Sequence, residues 1–310
     1  MNVKQPVIVI VGPTAVGKTK TGIELAKRLN GEIISGDSVQ VYRGMDIGSA
    51  KVSEEEAEGI PHHLIDIQEP DEEMSVARFQ MLARAAIDDI AARGKLPIIV
   101  GGTGLYIRSV LYDYQFTEQA EDKGLRAELE RFAAEEGAVA LHDRLAHLSP
   151  ERAAQIHPNN VQRVIRAIEV ASSGMEQAQA SEPTSHYDSL IFVLHMEDRD
   201  QLYGRIGLRV DQMMEEGLLD EVETLVSRGY AETKAMQAIG YKELVPVVRG
   251  EVSLSDAADA LKRNTRRFAK RQLTWFRHQF DGTWIEMGRL SFEQNFKKIY
   301  DRAAGFLDQG

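Results

Sequence analysis

The sequence predicts an α/β protein: a parallel sheet flanked by helices and interrupted by a helical insertion. Three observations carry this. Val7-Ile8-Val9-Ile10-Val11 is an unbroken β-branched run, the mark of a strand buried on both faces. It opens directly into a glycine loop and a helix, and strand-like and helical segments then alternate, as βαβ units require. Across residues 116–189 strand character is lost while apolar residues keep helical spacing. The chain therefore divides into a core formed by residues 1–115 and 190–310 and an insertion of residues 116–189.

The elements follow in order. A helix after the glycine loop runs to Leu29, and Glu32-Ile33-Ile34-Ser35 is a short second strand. Ser75 is placed to cap a helix whose apolar residues Val76, Phe79, Leu82, Ala83, Ala86 and Ile90 share one face, with Gly94 closing it. Pro97-Ile98-Ile99-Val100 is the third strand. Residues 172–189 are small, polar and loop-like. Strand character returns at Leu190–Leu194, helices are expected over 200–216, 218–228 and 255–280, and Thr283–Met287 is a last strand before a final helix.

Composition excludes several classes. The chain has 310 residues and no cysteine, so disulfide scaffolds, thiolate metal sites and cysteine nucleophiles are out. No run approaches the roughly 18 apolar residues that span a bilayer, and the first apolar run is too short for a secretion signal. A cytoplasmic protein without a membrane association is expected. The net charge of −11 argues against indiscriminate polyanion binding. Charge is nevertheless segregated: residues 52–77 hold nine acids and no Lys or Arg, whereas residues 262–277 hold seven Lys or Arg and no acid. Such a strip on an acidic protein points to a specific polyanion.

The strongest local motif is Gly12-Pro13-Thr14-Ala15-Val16-Gly17-Lys18-Thr19, a G-x-x-x-x-G-K-T phosphate loop between a buried strand and a helix. Its backbone N–H groups and the helix N-terminus suit a chain of phosphates. Lys18 supplies a point charge, and the Thr19 hydroxyl is a candidate Mg²⁺ ligand. Asp37, in Ser35-Gly36-Asp37-Ser38-Val39-Gln40, follows the second strand, and Thr103, in Gly101-Gly102-Thr103-Gly104, follows the third. Loops at the carboxyl ends of parallel strands share one crevice, so Asp37, Thr103 and the phosphate loop should meet there. A turn or cap role for Asp37 is the alternative. Glu197 and Asp198 after Leu194, or Asp37 itself, are candidate partners of Thr19 on a metal.

Arg205 and Arg209 lie one helical turn apart, either as a diphosphate clamp or as a solvated face. The basic strip recurs every three to four residues with Phe268, Trp275 and Phe276 interleaved, a pattern suited to phosphate contacts and stacking on unpaired bases. A solvated helix or the lid of a small-molecule kinase would look similar. His62-His63 has no carboxylate at ligand spacing on its own face and reads as structural.

Taken in order, these elements resemble the tRNA dimethylallyltransferases, also called tRNA isopentenyltransferases. The resemblance is carried by Gly12–Thr19, Asp37–Gly48, Pro61–Asp66, Gly101–Tyr106, Asn160–Ala167, Gln237–Lys242 and Lys270–Arg277. It implies a P-loop kinase-like parallel-sheet core with an inserted helical RNA-binding domain. It also implies transfer of a dimethylallyl group from dimethylallyl diphosphate to N6 of the adenosine 3′ of the tRNA anticodon, releasing diphosphate, with Mg²⁺ as cofactor. Gly12 to Thr19 would bind the diphosphate, and Asp37, Thr103 and Arg209 would be catalytic. The tRNA contacts would come from Asp37, Ser38, Val39 and Gln40, from Thr103 and Arg126, and from Gln162, Arg163, Val164, Ile165 and Arg166. Gln237, Ala238, Ile239, Gly240, Tyr241 and Lys242 would add to them, as would Lys270, Arg271, Gln272, Leu273, Thr274, Trp275, Phe276 and Arg277. The partner would be the anticodon stem-loop, and the enzyme a monomer. A small-molecule kinase, an isopentenyltransferase acting on free adenylate and a non-enzymatic RNA-binding module are the competing classes.

Overall fold

The computed structural model describes residues 4–112, 123–172 and 184–308. The chain begins with β1 (Pro6–Val11), α1 (Lys18–Arg28), β2 (Gly31–Ser35), α2 (Glu54–Ala57), β3 (His62–His63), α3 (Val76–Ala92), β4 (Leu96–Gly101) and α4 (Gly104–Leu111). Three helices follow: α5 (Lys123–Leu148), α6 (Pro150–Ala153) and α7 (Val161–Ser172). The remainder is β5 (Asp188–His195), α8 (Arg199–Glu215), α9 (Leu218–Ser227), a 3-10 turn at Ala235–Gln237, α10 (Tyr241–Val248), α11 (Leu254–Gln279), β6 (Thr283–Glu286) and α12 (Phe292–Leu307).

The strands form one sheet of order β3-β2-β4-β1-β5-β6, and every pairing is parallel. β1 lies between β4 and β5, with Ile8 opposite both Ile98 and Leu190. Its alternate side chains serve two cores. Val7, Val9 and Val11 pack with Phe79, Ile87, Ile107 and Phe276 on one face. Ile8 and Ile10 pack with Ile23, Leu202, Ile206 and Phe296 on the other. This double burial explains why the strand reads as a continuous apolar run rather than an alternating one.

The structure adds one strand to the five expected. β3 pairs Ile33 with His62 and Ile34 with His63 at the sheet edge. His62 Nδ1 donates to the Ile60 carbonyl at 2.8 Å, and His63 Nε2 meets the Glu32 carboxylate at 2.7 Å. Glu32, at the amino end of β2, is buried and also pairs with Arg93 and Lys95. The Arg93 hydrogen bonds hold its carboxyl well below the usual range. The pair of histidines is thus structural, held at the sheet edge by main-chain pairing and by Glu32.

The chain separates into two compact units, residues 1–113 with 184–310 and residues 114–183. Residues 184–189 belong with the sheet unit because β5 starts at Asp188, earlier than the apolar run suggests. In the smaller unit, α5 is broken at Gly137, whose φ of 91° only glycine adopts readily. Leu129, Leu141, Leu145, Val164, Ile165 and Ile168 form that unit's own core. No helix among the described residues is long and apolar enough to cross a membrane.

Candidate active site

Three loops leave the carboxyl ends of the adjacent strands β2, β4 and β1 and lock onto one another. In the loop 12–19, Gly12 has a φ of 156° and sits so close to β5 that a Cβ would lie 2.4 Å from the Leu194 carbonyl oxygen. Gly17 takes a φ of 93°. Ala15 adopts the left-handed region at 65°, a conformation that costs an L residue free energy and turns the loop sharply. Val16 is fully buried and anchors the loop in the core. Lys18 is half-buried, and its ammonium donates to the Pro13 carbonyl at 2.7 Å, folding the side chain back over the loop. Burial and the nearby Arg209 charge lower its pKa to about 8, with Asp37 acting in the opposite direction. Burial also lowers the pKa of Arg209, against the pull of Glu56 and Asp37.

Asp37 and Thr103 are brought together as expected from their strand ends. Thr103 Oγ1 accepts from the Ser38 backbone N–H at 3.0 Å and lies 3.2 Å from Ser38 Oγ. The Thr103 N–H donates to the Gly36 carbonyl at 3.1 Å. Gly101 packs against Gly36 so tightly that a Cβ would lie 2.3 Å from its carbonyl carbon. Asp37 is half-buried, and its Oδ1 caps the Val39 N–H at 2.8 Å. Oδ2 takes no protein hydrogen bond among the described residues, so the turn contact occupies only one of the two carboxylate oxygens. Gln40 reaches back to Ser35 Oγ through Oε1 at 2.7 Å.

The basic helix contributes to this site in a way residue types alone did not reveal. Gln272 is buried on the inner face of α11. Its Nε2 donates to the Gly102 carbonyl at 3.0 Å, and its Oε1 accepts from the Thr14 N–H at 3.3 Å. One amide thereby bridges two of the three loops. Trp275 lies on Gly104, where a Cβ would sit 2.1 Å from the indole. Phe276 is fully buried and Leu273 packs against the core, so neither they nor Gln272 lines an outer surface. The expected stacking role of Phe276 is therefore replaced by core packing. Arg263, Arg267, Lys270, Arg271, Thr274 and Arg277 are exposed. Lys262 is bound to Asp211 at 2.5 Å.

Other predicted residues separate in the same manner. Arg209 turns into the site whereas Arg205 is exposed, so the two do not form a clamp. In α7, Gln162, Arg163 and Arg166 are exposed, but Val164 and Ile165 are fully buried. Arg166 pairs with the buried Glu169 at 3.1 Å, and Arg126 approaches the same carboxylate at 3.7 Å. Gln237 and Lys242 are exposed, Ala238 and Ile239 are half-buried, and Gly240 and Tyr241 are buried. Asp198 caps α8 by accepting from the Asp200 and Gln201 N–H groups, and Glu197 pairs with Arg289. Both are thus occupied elsewhere.

Among the described residues no group of three or more His, Asp or Glu could by itself hold a metal. Thr19 is exposed at the start of α1. A single hydroxyl at this helix start suits a hard ion such as Mg²⁺, which takes few protein ligands and completes its shell with phosphate oxygens and water.

These features define a class: an α/β protein with a glycine-rich G-x-x-x-x-G-K-T loop at the carboxyl edge of a parallel sheet, beside an acidic residue, a threonine and a basic helix. The chain belongs to the IPP transferase family, whose model matches residues 40–279. It is 76% identical over 304 residues to a tRNA dimethylallyltransferase of Exiguobacterium sibiricum, covering 98% of this chain and 97% of the relative. Among solved structures it resembles the full-length tRNA isopentenylpyrophosphate transferase of Bacillus halodurans at 51% identity and a TM-score of 0.76, covering 99% of this chain and 98% of that one. It also resembles a eukaryotic dimethylallyltransferase acting on tRNA, at 30% identity and a TM-score of 0.82, covering 98% of this chain and 80% of that one.

Proposed function

We propose that this chain transfers a dimethylallyl group from dimethylallyl diphosphate to N6 of the adenosine 3′ of the tRNA anticodon. The observation that carries the reading is the proximity of Lys18, Arg209 and Asp37 at the carboxyl edge of the sheet, where their charges act on one another. An allylic diphosphate needs its leaving group stabilised and its nucleophile relieved of a proton, and the crevice holds groups for both.

The backbone N–H groups of residues 12–19, with Lys18 and Arg209, would receive the negative charge that grows on the departing diphosphate. Thr19 would hold Mg²⁺ together with diphosphate oxygens, and the ion would supply further charge neutralisation. The adenine amine is a weak nucleophile because its lone pair is delocalised into the ring. Asp37 would accept its hydrogen bond through Oδ2. As the bond from N6 to the allylic C1 forms and the C1–O bond breaks, Asp37 takes the proton. Thr103, held by Ser38 and Gly36, would fix the position of Asp37 and the base. The target base must leave its stack to enter the crevice. The exposed cations of α11, together with Gln162, Arg163 and Arg166 and with Gln237 and Lys242, would contact the tRNA backbone.

Radiolabelled dimethylallyl diphosphate, offered with unmodified tRNA or with AMP, tests the reading. Label should enter tRNA and not AMP. Label in AMP alone would mark an enzyme of free nucleotides. Failure to label either substrate would overturn the proposal.

A further inference from the structure

We infer that Glu221 is a positioning residue that holds two candidate tRNA-contacting segments in register. It lies on α9, far from the crevice in sequence, and no motif marks it. Its carboxylate leaves the helix and fills a turn of the loop after β2. Oε2 accepts from the Asp46 and Ile47 N–H groups, both at 2.8 Å, and Oε1 accepts from the Gly48 N–H at 3.1 Å. Three successive N–H groups pointing at one anion form a nest. The fourth donor is the Tyr241 hydroxyl, which reaches Oε1 at 2.7 Å.

Tyr241 opens α10 and is fully buried, and burial, with Glu221 beside it, pushes its hydroxyl pKa well up, so it stays a donor. Its ring lies against Gly48, where a Cβ would fall 2.6 Å from it. One carboxylate therefore ties the 46–48 turn to the Gly240–Tyr241 corner.

The turn is connected onward to the site. Ser49 and Ala50, which follow the nest, offer their carbonyls to Gln40 Nε2 at 3.3 and 3.2 Å. Gln40 in turn accepts from Ser35 Oγ, beside Asp37. Displacing the nest removes the support of Gln40 on one side and of residues 237–242 on the other. The phosphate loop takes no part in this network, so the diphosphate site should be spared.

A carboxylate can accept all four bonds because it carries no donor, whereas a carboxamide brings an NH₂ group that opposes the nest. This inference rests on the proposed tRNA activity, which the wild-type enzyme tests separately. In steady-state assays, Glu221→Gln should raise the KM for tRNA about tenfold or more, as expected for losing charge-assisted bonds. The kcat at saturating tRNA should stay within about threefold, and the affinity for dimethylallyl diphosphate should be unchanged. Tyr241→Phe, which keeps the ring on Gly48, should raise the same KM by a smaller factor. In a Gln40→Ala background the effect of Glu221→Gln should shrink, because the two act through one connection. An unchanged tRNA KM, or equal losses of tRNA and diphosphate affinity, would overturn the inference. If Glu221→Gln fails to fold, Tyr241→Phe decides alone: a tRNA KM equal to wild type overturns it.

Discussion

If the loop of residues 12–19 holds the diphosphate as proposed, Lys18 should set the pH range over which it does so. Burial and the Arg209 charge bring its pKa down to about 8, so the free protein loses this proton within the range of ordinary assays. A diphosphate at the ammonium adds opposite charge and pushes the pKa back up. The linkage sign follows: above about pH 8 binding must take up a proton, so affinity falls as pH rises. With a free pKa of about 8, the protonated fraction drops from about nine-tenths near pH 7 to about one-tenth near pH 9. Affinity for dimethylallyl diphosphate should therefore fall roughly tenfold across that interval. Calorimetric titration in buffers of different ionisation enthalpy reads both quantities: the affinity, and a proton uptake rising towards one per site near pH 9. Lys18→Arg keeps its charge throughout and should flatten the profile. A wild-type affinity that is level from about pH 7 to 9, with no buffer-dependent enthalpy, would refute the role of Lys18 as the titrating phosphate contact.

Asp37→Asn keeps the shape and an acceptor oxygen but cannot take a proton, so single-turnover prenyl transfer should slow by ~10²–10⁴ with tRNA affinity little changed. Rescue of that variant by high magnesium would reassign Asp37 as a metal partner. Changing Lys270 and Arg271 together to Ala should weaken tRNA binding and reduce the magnitude of its salt slope by up to about 2, and an unmoved slope would place the RNA path elsewhere. Gly104→Ala forces a methyl into the Trp275 ring and should cost about 1–3 kcal/mol in urea unfolding, with a shift in tryptophan emission.

The central strands β1, β4 and β5 were legible because they are buried on both faces and so spell out continuous apolar runs. β3 was not, since two polar residues are held there by main-chain pairing to Ile33 and Ile34 and by the Glu32 cluster. Asp37 and Thr103 could be placed together from topology alone, because both end parallel strands. The inward and outward sides of α11 could not be separated as cleanly. The inner face runs through Leu261, Ala269, Gln272 and Phe276, and the polar Gln272 breaks the apolar pattern that would have marked it. In α7 a contiguous motif likewise mixed exposed arginines with Val164 and Ile165, because adjacent positions on a helix face different directions. Glu221 left no local trace: three of its four donors are backbone N–H groups, which every sequence has, and the fourth, Tyr241, lies twenty residues away.

The position of β1 also bears on how the chain is made. β1, the earliest strand of this sheet in the chain, is central in it, and its Ile8 must wait for Leu190 to cover one edge. Until the smaller unit has been synthesised, that edge exposes unpaired main-chain groups on a wholly apolar strand, a state prone to intermolecular pairing. The topology therefore makes folding of the sheet unit late and non-local, and slow compared with the helical unit, whose contacts are close in sequence.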